Sequence, residues 1–161
     1  MKLLSHADGK YVIRLDSREH DALLAAIGLR SHLPRARRSL TADTAVEPGL
    51  RAAQGDLDNA LSEHRQELTT SIEKLLGNPE KVATQGKGKV LTLTSDEINL
   101  VLQGLNDVRV AAWERLGCPD FDQGQRPEVN QENFLCLWTI QATDLFQSFL
   151  LAVLTGETDD V

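Results

Sequence analysis

Two stretches of this chain pass from a strand-like run straight into the start of a capped helix. Val12-Ile13-Arg14-Leu15-Asp16-Ser17-Arg18-Glu19 and Val90-Leu91-Thr92-Leu93-Thr94-Ser95-Asp96-Glu97 share four of their eight positions. In each, β-branched and leucine residues precede an N-cap residue, Asp16 or Thr94, with a glutamate three positions later. That spacing is a capping box, in which cap side chain and glutamate satisfy each other's orphan backbone donors. Four identities in eight do not establish a duplication. They do predict a shared local geometry: two strands of one small sheet, each handing off to a helix.

The first strand has a partner beside it. Residues 2–6 and 10–15 flank Ala7-Asp8-Gly9, and Asp-Gly between apolar stretches is a strong hairpin signal, because both turn residues tolerate positive φ. A hairpin alone is marginal, so a third strand at 90–94 is expected to join it and helices to cover it. Helices are expected over residues 17–32, 56–76, 95–116 and 131–154. Gly77-Asn78-Pro79 stops the second and Gly117 with Pro119 the third. Residues 34–53 read as loop, and Gln85-Gly86-Lys87-Gly88-Lys89 as a mobile connector. The expected fold is α+β and predominantly helical: four main helices with a small N-terminal hairpin joined by a third strand. Residues 1–155 form one globular unit, and the acidic tail 156–161 frays.

The apolar faces place the candidate residues. On the third helix Ile98, Val101, Leu102, Leu105, Ala112, Trp113 and Leu116 share an arc, and Arg109 falls inside it. A buried arginine needs a carboxylate. The fourth helix is apolar on most sides, with Leu150 near the edge of its arc, and Asp144 is its one acid between Glu132 and Glu157. Arg109 and Asp144 are therefore expected to form a buried ion pair tying two core helices. A helix this apolar belongs at the centre of a fold or at an interface between molecules. Six of the seven aromatics lie between Trp113 and Phe149, which puts the expected centre of the core in the last two helices. His64 lies in the apolar arc of the second helix, one turn from Glu67. The two are weak metal-ligand candidates only, because no further ligands can be placed beside them.

Composition narrows the function classes. The 161 residues carry a formal charge of −7, unevenly spread. Residues 1–40 hold 8 basic and 4 acidic side chains, and the remainder holds 9 basic and 20 acidic. An acidic whole argues against a nucleic-acid partner, since phosphate contacts dominate that affinity. Arg30, Arg35, Arg37 and Arg38 make one basic segment, a candidate docking site for an acidic ligand or partner. No secretory segment and no long uninterrupted apolar run is present, so a membrane association is not expected. Two separated cysteines, Cys118 and Cys136, fit reduced thiols in the cytoplasm. No phosphate-binding glycine loop, nucleophile elbow, zinc-protease motif or paired Cys-x-x-Cys occurs, and no cofactor is implied.

Leu105-Asn106-Asp107-Val108-Arg109-Val110, followed by Arg115-Leu116-Gly117, resembles a helix motif of a bacterial family of conserved proteins with a domain of unknown function. Arg14-Leu15-Asp16 leading into a helix with Glu19, Leu23 and Leu24 is similar too. The chain departs from that pattern with Val108 and Val110 in place of leucine. It also has Ala111-Ala112-Trp113-Glu114 where the family tends to have Leu-Gly-Thr. The resemblance implies no assigned activity. The expected function is a non-catalytic protein-interaction or self-associating module. The alternative is a small-ligand- or metal-dependent enzyme using Arg109, Asp144 and His64 in a pocket among the second, third and fourth helices.

Overall fold

Strand pairing and the two capping boxes organise the molecule. A computed structural model describes residues 1–29 and 48–157. In chain order these form β1 (Lys2–Ala7), β2 (Lys10–Asp16), α1 (Ser17–Gly28), α2 (Pro48–Leu76), β3 (Val82–Gln85), β4 (Gly88–Thr94), α3 (Ser95–Arg115) and α4 (Phe134–Thr155). The strands make one antiparallel sheet in the order β1-β2-β4-β3. The fold is α+β and predominantly helical, as the sequence predicts.

Asp8 and Gly9 take φ of 53° and 70° and close the first hairpin. Tyr11, Ile13, Leu15, Leu91 and Leu93 are buried on one sheet face, where α1 and α3 pack. Both capping boxes form. Asp16 accepts from the Glu19 N–H at 2.8 Å while Glu19 accepts from the Asp16 N–H at 2.8 Å. Thr94 and Glu97 repeat the arrangement on α3.

Three expectations need correction. The expected connector 85–89 is ordered as the turn of a second hairpin, Gly86 taking φ of 61°, and β3 is a fourth strand that the reading lacked. β3 has four residues, too few to show a period, and it pairs on one side only. Residues 48–53, expected as loop, are already helical, so α2 runs 29 residues. The aromatics do not form the centre of the core. Of the six between Trp113 and Phe149, Phe146 alone is buried, while Phe121 and Phe134 are exposed. The basic segment Arg30, Arg35, Arg37 and Arg38 lies outside the described residues.

Among the described residues the echo between the two capping boxes extends through the sheet, the start of α1 and α3, and the C-terminal parts of α2 and α4. Ser17 and Ser95 open their helices 78 residues apart, and the same spacing relates Asp16 to Thr94 and Glu19 to Glu97. Pairing across the first hairpin joins Ser5 to Val12, His6 to Tyr11 and Ala7 to Lys10. The positions 78 residues later pair identically: Ala83 with Val90, Thr84 with Lys89, Gln85 with Gly88. Buried positions follow suit, giving Leu15/Leu93, Leu23/Val101, Ala26/Gly104, Ile27/Leu105, Leu68/Phe146, Ile72/Leu150 and Leu75/Val153. Ile13 and Leu91 are equivalents and face each other where β2 meets β4, so a pseudo-two-fold axis passes through that pair. The molecule is two ββαα units sharing one sheet. Helices cross between units, α2 packing on α3 and α1 on α4. A Cβ on Gly104 would lie 2.3 Å from Ile72 Cδ1, which marks how closely α2 approaches α3.

Candidate functional site

The α3–α4 pair is the most closely associated helix pair of the structure. The segment joining the two helices is pinned by short polar side chains. Asp120 accepts from the N–H groups of Asp122 and Gln123, Asn130 accepts from those of Glu132 and Asn133, and the Trp113 Nε1–H donates to the Pro119 carbonyl at 2.9 Å. Gly156 ends α4 at φ of 77°, a conformation that glycine adopts without a Cβ penalty.

α4 buries Cys136, Thr139, Thr143, Phe146, Leu150 and Val153 against its own chain. The two threonines satisfy themselves, Thr139 donating to the Leu135 carbonyl at 2.7 Å and Thr143 to that of Thr139 at 2.8 Å. The opposite side faces water and mixes polar Gln141, Asp144 and Ser148 with large apolar side chains. Phe134 is 58% exposed, Leu145 61% and Leu151 51%.

The first ββαα unit supplies an internal control. The positions of α2 equivalent to Phe134, Leu145 and Leu151 are Asp56, Glu67 and Glu73, all exposed. Exposed Asn59 and Ser71 likewise stand where α4 has Leu137 and Phe149. The comparison is closest where both helices are packed, from Leu68 and Phe146 onward: beside those buried positions the fold accepts Glu67 and Glu73 where α4 has Leu145 and Leu151, whereas the equivalents of buried Cys136, Thr139 and Thr143 are not buried in α2. Leu57 and Leu135 are partly exposed equivalents in both helices and discriminate nothing.

Two cavities lie along the seam between α3 and α4. One, of about 340 Å³, is lined by Arg109, Val110, Trp113, Phe121 and Ile140. The other, of about 620 Å³, is polar at its rim, with Asp96, Asn99, Gln103, Asn106 and Gln147 around Leu102 and Leu151. Asn99, Gln103, Asn106, Val110 and Trp113 recur at helical spacing, as do Ile140, Gln147 and Leu151, so both cavities open on the same side of the helix pair. Arg109 and Asp144 meet between them, Nη1 to Oδ1 at 3.6 Å. A third cavity, of about 480 Å³, is lined by Arg115, Leu116, Pro127, Asn130, Glu132, Asn133 and Cys136. Burial pushes the Cys136 thiol up, against the opposing influence of Arg115, so it remains a protonated, weakly nucleophilic group.

Several sequence-predicted residues stand elsewhere than expected. Arg109 and Asp144 do come together, but the side chains are 42% and 67% exposed, so the pair is not buried. Gly104, Val108 and Ala111 join the buried face of α3 and turn its centre away from Arg109, which is left at the edge. His64 and Glu67 are both exposed, and no group of three metal-ligating side chains occurs among the described residues. α2 keeps its apolar arc at Leu68, Ile72 and Leu75, but a turn earlier, at His64, the helix is open to water. The pocket at Arg109 is lined by α3, the α3–α4 segment and α4, and neither α2 nor His64 contributes. Leu150, expected at the edge of the arc, is 6% exposed and belongs to the core. Of the family-like motif, Asn106 lines the polar cavity, Asp107 approaches Arg65 of α2 at 3.8 Å and Arg109 lines the apolar one.

The sequence marks α4 as central or interfacial but not which of its sides faces water, although a signal was present. Setting α4 against α2 at the capping-box spacing of 78 residues would have shown apolar residues opposite acidic ones. The chain matches no protein-family profile, no curated protein and no solved structure.

Proposed function

We propose that this chain is a non-catalytic protein-interaction module of the cytoplasm, presenting the outward face of α4 and the adjoining α3 seam to a partner. One observation carries the reading. Phe134, Leu145 and Leu151 are exposed and apolar where the equivalent helix of the same molecule has Asp56, Glu67 and Glu73. Exposed apolar side chains where the equivalent helix carries carboxylates support a surface used for contact rather than for folding. By length and composition α4 would also pass as a membrane span, and six of its residues are buried against its own chain. The motif resemblance to the bacterial family brings no activity that conflicts with this reading.

The test is a triple substitution copied from α2: Phe134→Asp, Leu145→Glu and Leu151→Glu. Purified from the native host at low salt, the wild-type chain is expected to retain a stoichiometric protein partner. The variant should lose it while melting at the same temperature. A variant that keeps every partner of the wild type overturns the reading. A bound metal or metabolite with no protein partner would move the weight to an enzyme.

A further inference from the structure

We infer that the occupant of the α3–α4 surface is a basic amphipathic helix of another protein. This inference rests on the interaction reading above and adds the chemistry of the partner.

Charge is the first argument. Between Ser95 and Glu157 the chain holds ten acidic side chains against three arginines, and it has no lysine beyond Lys89. Asp96 lines the polar cavity, Asp144 stands between the two cavities, and Glu128, Glu132 and Glu157 are exposed near the ends of α4. Arg109, the one cation among the described residues bordering the apolar cavity, already faces Asp144. The surface is thus a seam with an apolar pocket at one end and amides at the other, in a region richer in carboxylates than in cations, and its complement is an amphipathic helix bearing lysine or arginine.

The same charges rank the other occupants. A second copy docking through the same α3–α4 face would bring a second acidic region against the first. An anionic membrane surface needs a basic rim around the apolar face, and no lysine or arginine follows Arg126.

Shape is the second argument. From Asn99 in one cavity to Trp113 in the other, α3 rises by about 21 Å, the length of a helix of about 14 residues. The cavity of Val110, Trp113, Phe121 and Ile140 accepts one large apolar side chain as an anchor. The amides of Asn99, Gln103, Asn106 and Gln147 provide both donors and acceptors at the other end. This is helix-in-groove recognition, read through apolar anchors at i, i+3, i+4 and i+7.

The experiment uses the full chain and two labelled synthetic peptides of about 18 residues. Both carry leucine at helical spacing, one with lysine at every other position and one with glutamate. Binding is followed by fluorescence anisotropy, and the mass of the chain alone by light scattering. The Leu/Lys peptide is expected to bind at 1:1, at least about tenfold tighter than the Leu/Glu peptide, and to weaken as salt rises. Leu151→Glu and Leu151→Asp should each weaken it about tenfold, and Asp96→Asn with Asp144→Asn about threefold or more.

Equal or tighter binding of the Leu/Glu peptide overturns the basic partner while leaving the surface standing, provided the leucine substitutions still weaken it. Binding indifferent to those substitutions overturns the surface itself. A wild-type dimer that the leucine substitutions dissociate assigns the surface to a second copy and overturns the inference. No saturable binding of either peptide to a monomeric chain overturns it too.

Discussion

Glu97 is the residue where local and tertiary structure meet. Its carboxylate closes the capping box of α3 by accepting from the Thr94 N–H at 2.8 Å, and it also takes Lys81 Nζ at 2.7 Å. Burial alone would push this carboxyl up, but hydrogen bonds from Lys81 and Thr94 and the lysine charge together hold it below its ordinary 4.5. A lowered native value favours the folded state above the unfolded value, and that stabilisation is lost as pH falls through the native one. Glu97→Gln should therefore lower stability at pH 7 by about 1 kcal/mol. The gap to wild type should close below pH 4.5 in denaturant titrations, and a gap that widens there would refute the assignment. Arg109 makes the opposite case. As half of a buried pair it would cost about 3–5 kcal/mol to remove, but an exposed pair contributes under about 1 kcal/mol. Arg109→Ala should melt within a few degrees of wild type by calorimetry, and a larger loss would mean that the pair is shielded from water. Sequence gave the partner of Arg109 but not its exposure. Pairing follows from residue type and helix position, whereas exposure depends on which elements press against Gly104, Val108 and Ala111.

At the scale of elements, what is local was legible and what depends on neighbours was not. Both capping boxes and the Asp8-Gly9 turn are set by a handful of adjacent residues, and they stand where the sequence puts them. β3 was missed because four residues of an edge strand carry no period of their own and are held by β4. α4 shows the limit of periodicity most clearly. With apolar residues on nearly every side, its pattern does not say which side is the core, and Leu150 was placed at the edge when it lies inside. Adjacent positions on this helix should respond very differently. Leu150→Ala should cost about 2–4 kcal/mol, since it opens a cavity among buried neighbours. Leu151→Glu should change stability by no more than about 0.5 kcal/mol, as expected of a surface site and as Glu73 suggests for its equivalent in α2. Urea unfolding of the two variants measures the contrast. A comparable loss from both would mean that Leu151 also serves the core, and the interaction surface would shrink accordingly.

At the scale of the molecule, the likeness of the two units lies in burial and strand register rather than in identity. A sheet face and a helix stripe constrain only whether a position is apolar, so Leu68 and Phe146, or Ile72 and Leu150, fill the same role with different shapes. Solvent-facing positions carry no such constraint, and there the units differ, with Glu67 and Glu73 on α2 where α4 has Leu145 and Leu151. The axis through Ile13 and Leu91 has a consequence for folding. Neither unit holds a complete sheet, because β2 and β4 are the inner strands and each is the other's partner. Residues 1–77 and 78–161, produced as separate chains and mixed, should reassemble one to one by restoring the β2–β4 pairing. Alone, the second unit has a partner available in its own copy. β4 can pair antiparallel with itself, Leu91 opposite Leu91, since the axis already places equivalent residues face to face. Residues 78–161 are therefore expected to sediment as a folded dimer, and Leu91→Lys should abolish it by placing two charges on the axis in a buried layer. A folded monomer of residues 78–161, unaffected by Leu91→Lys, would show that the shared sheet is not what holds the two units together.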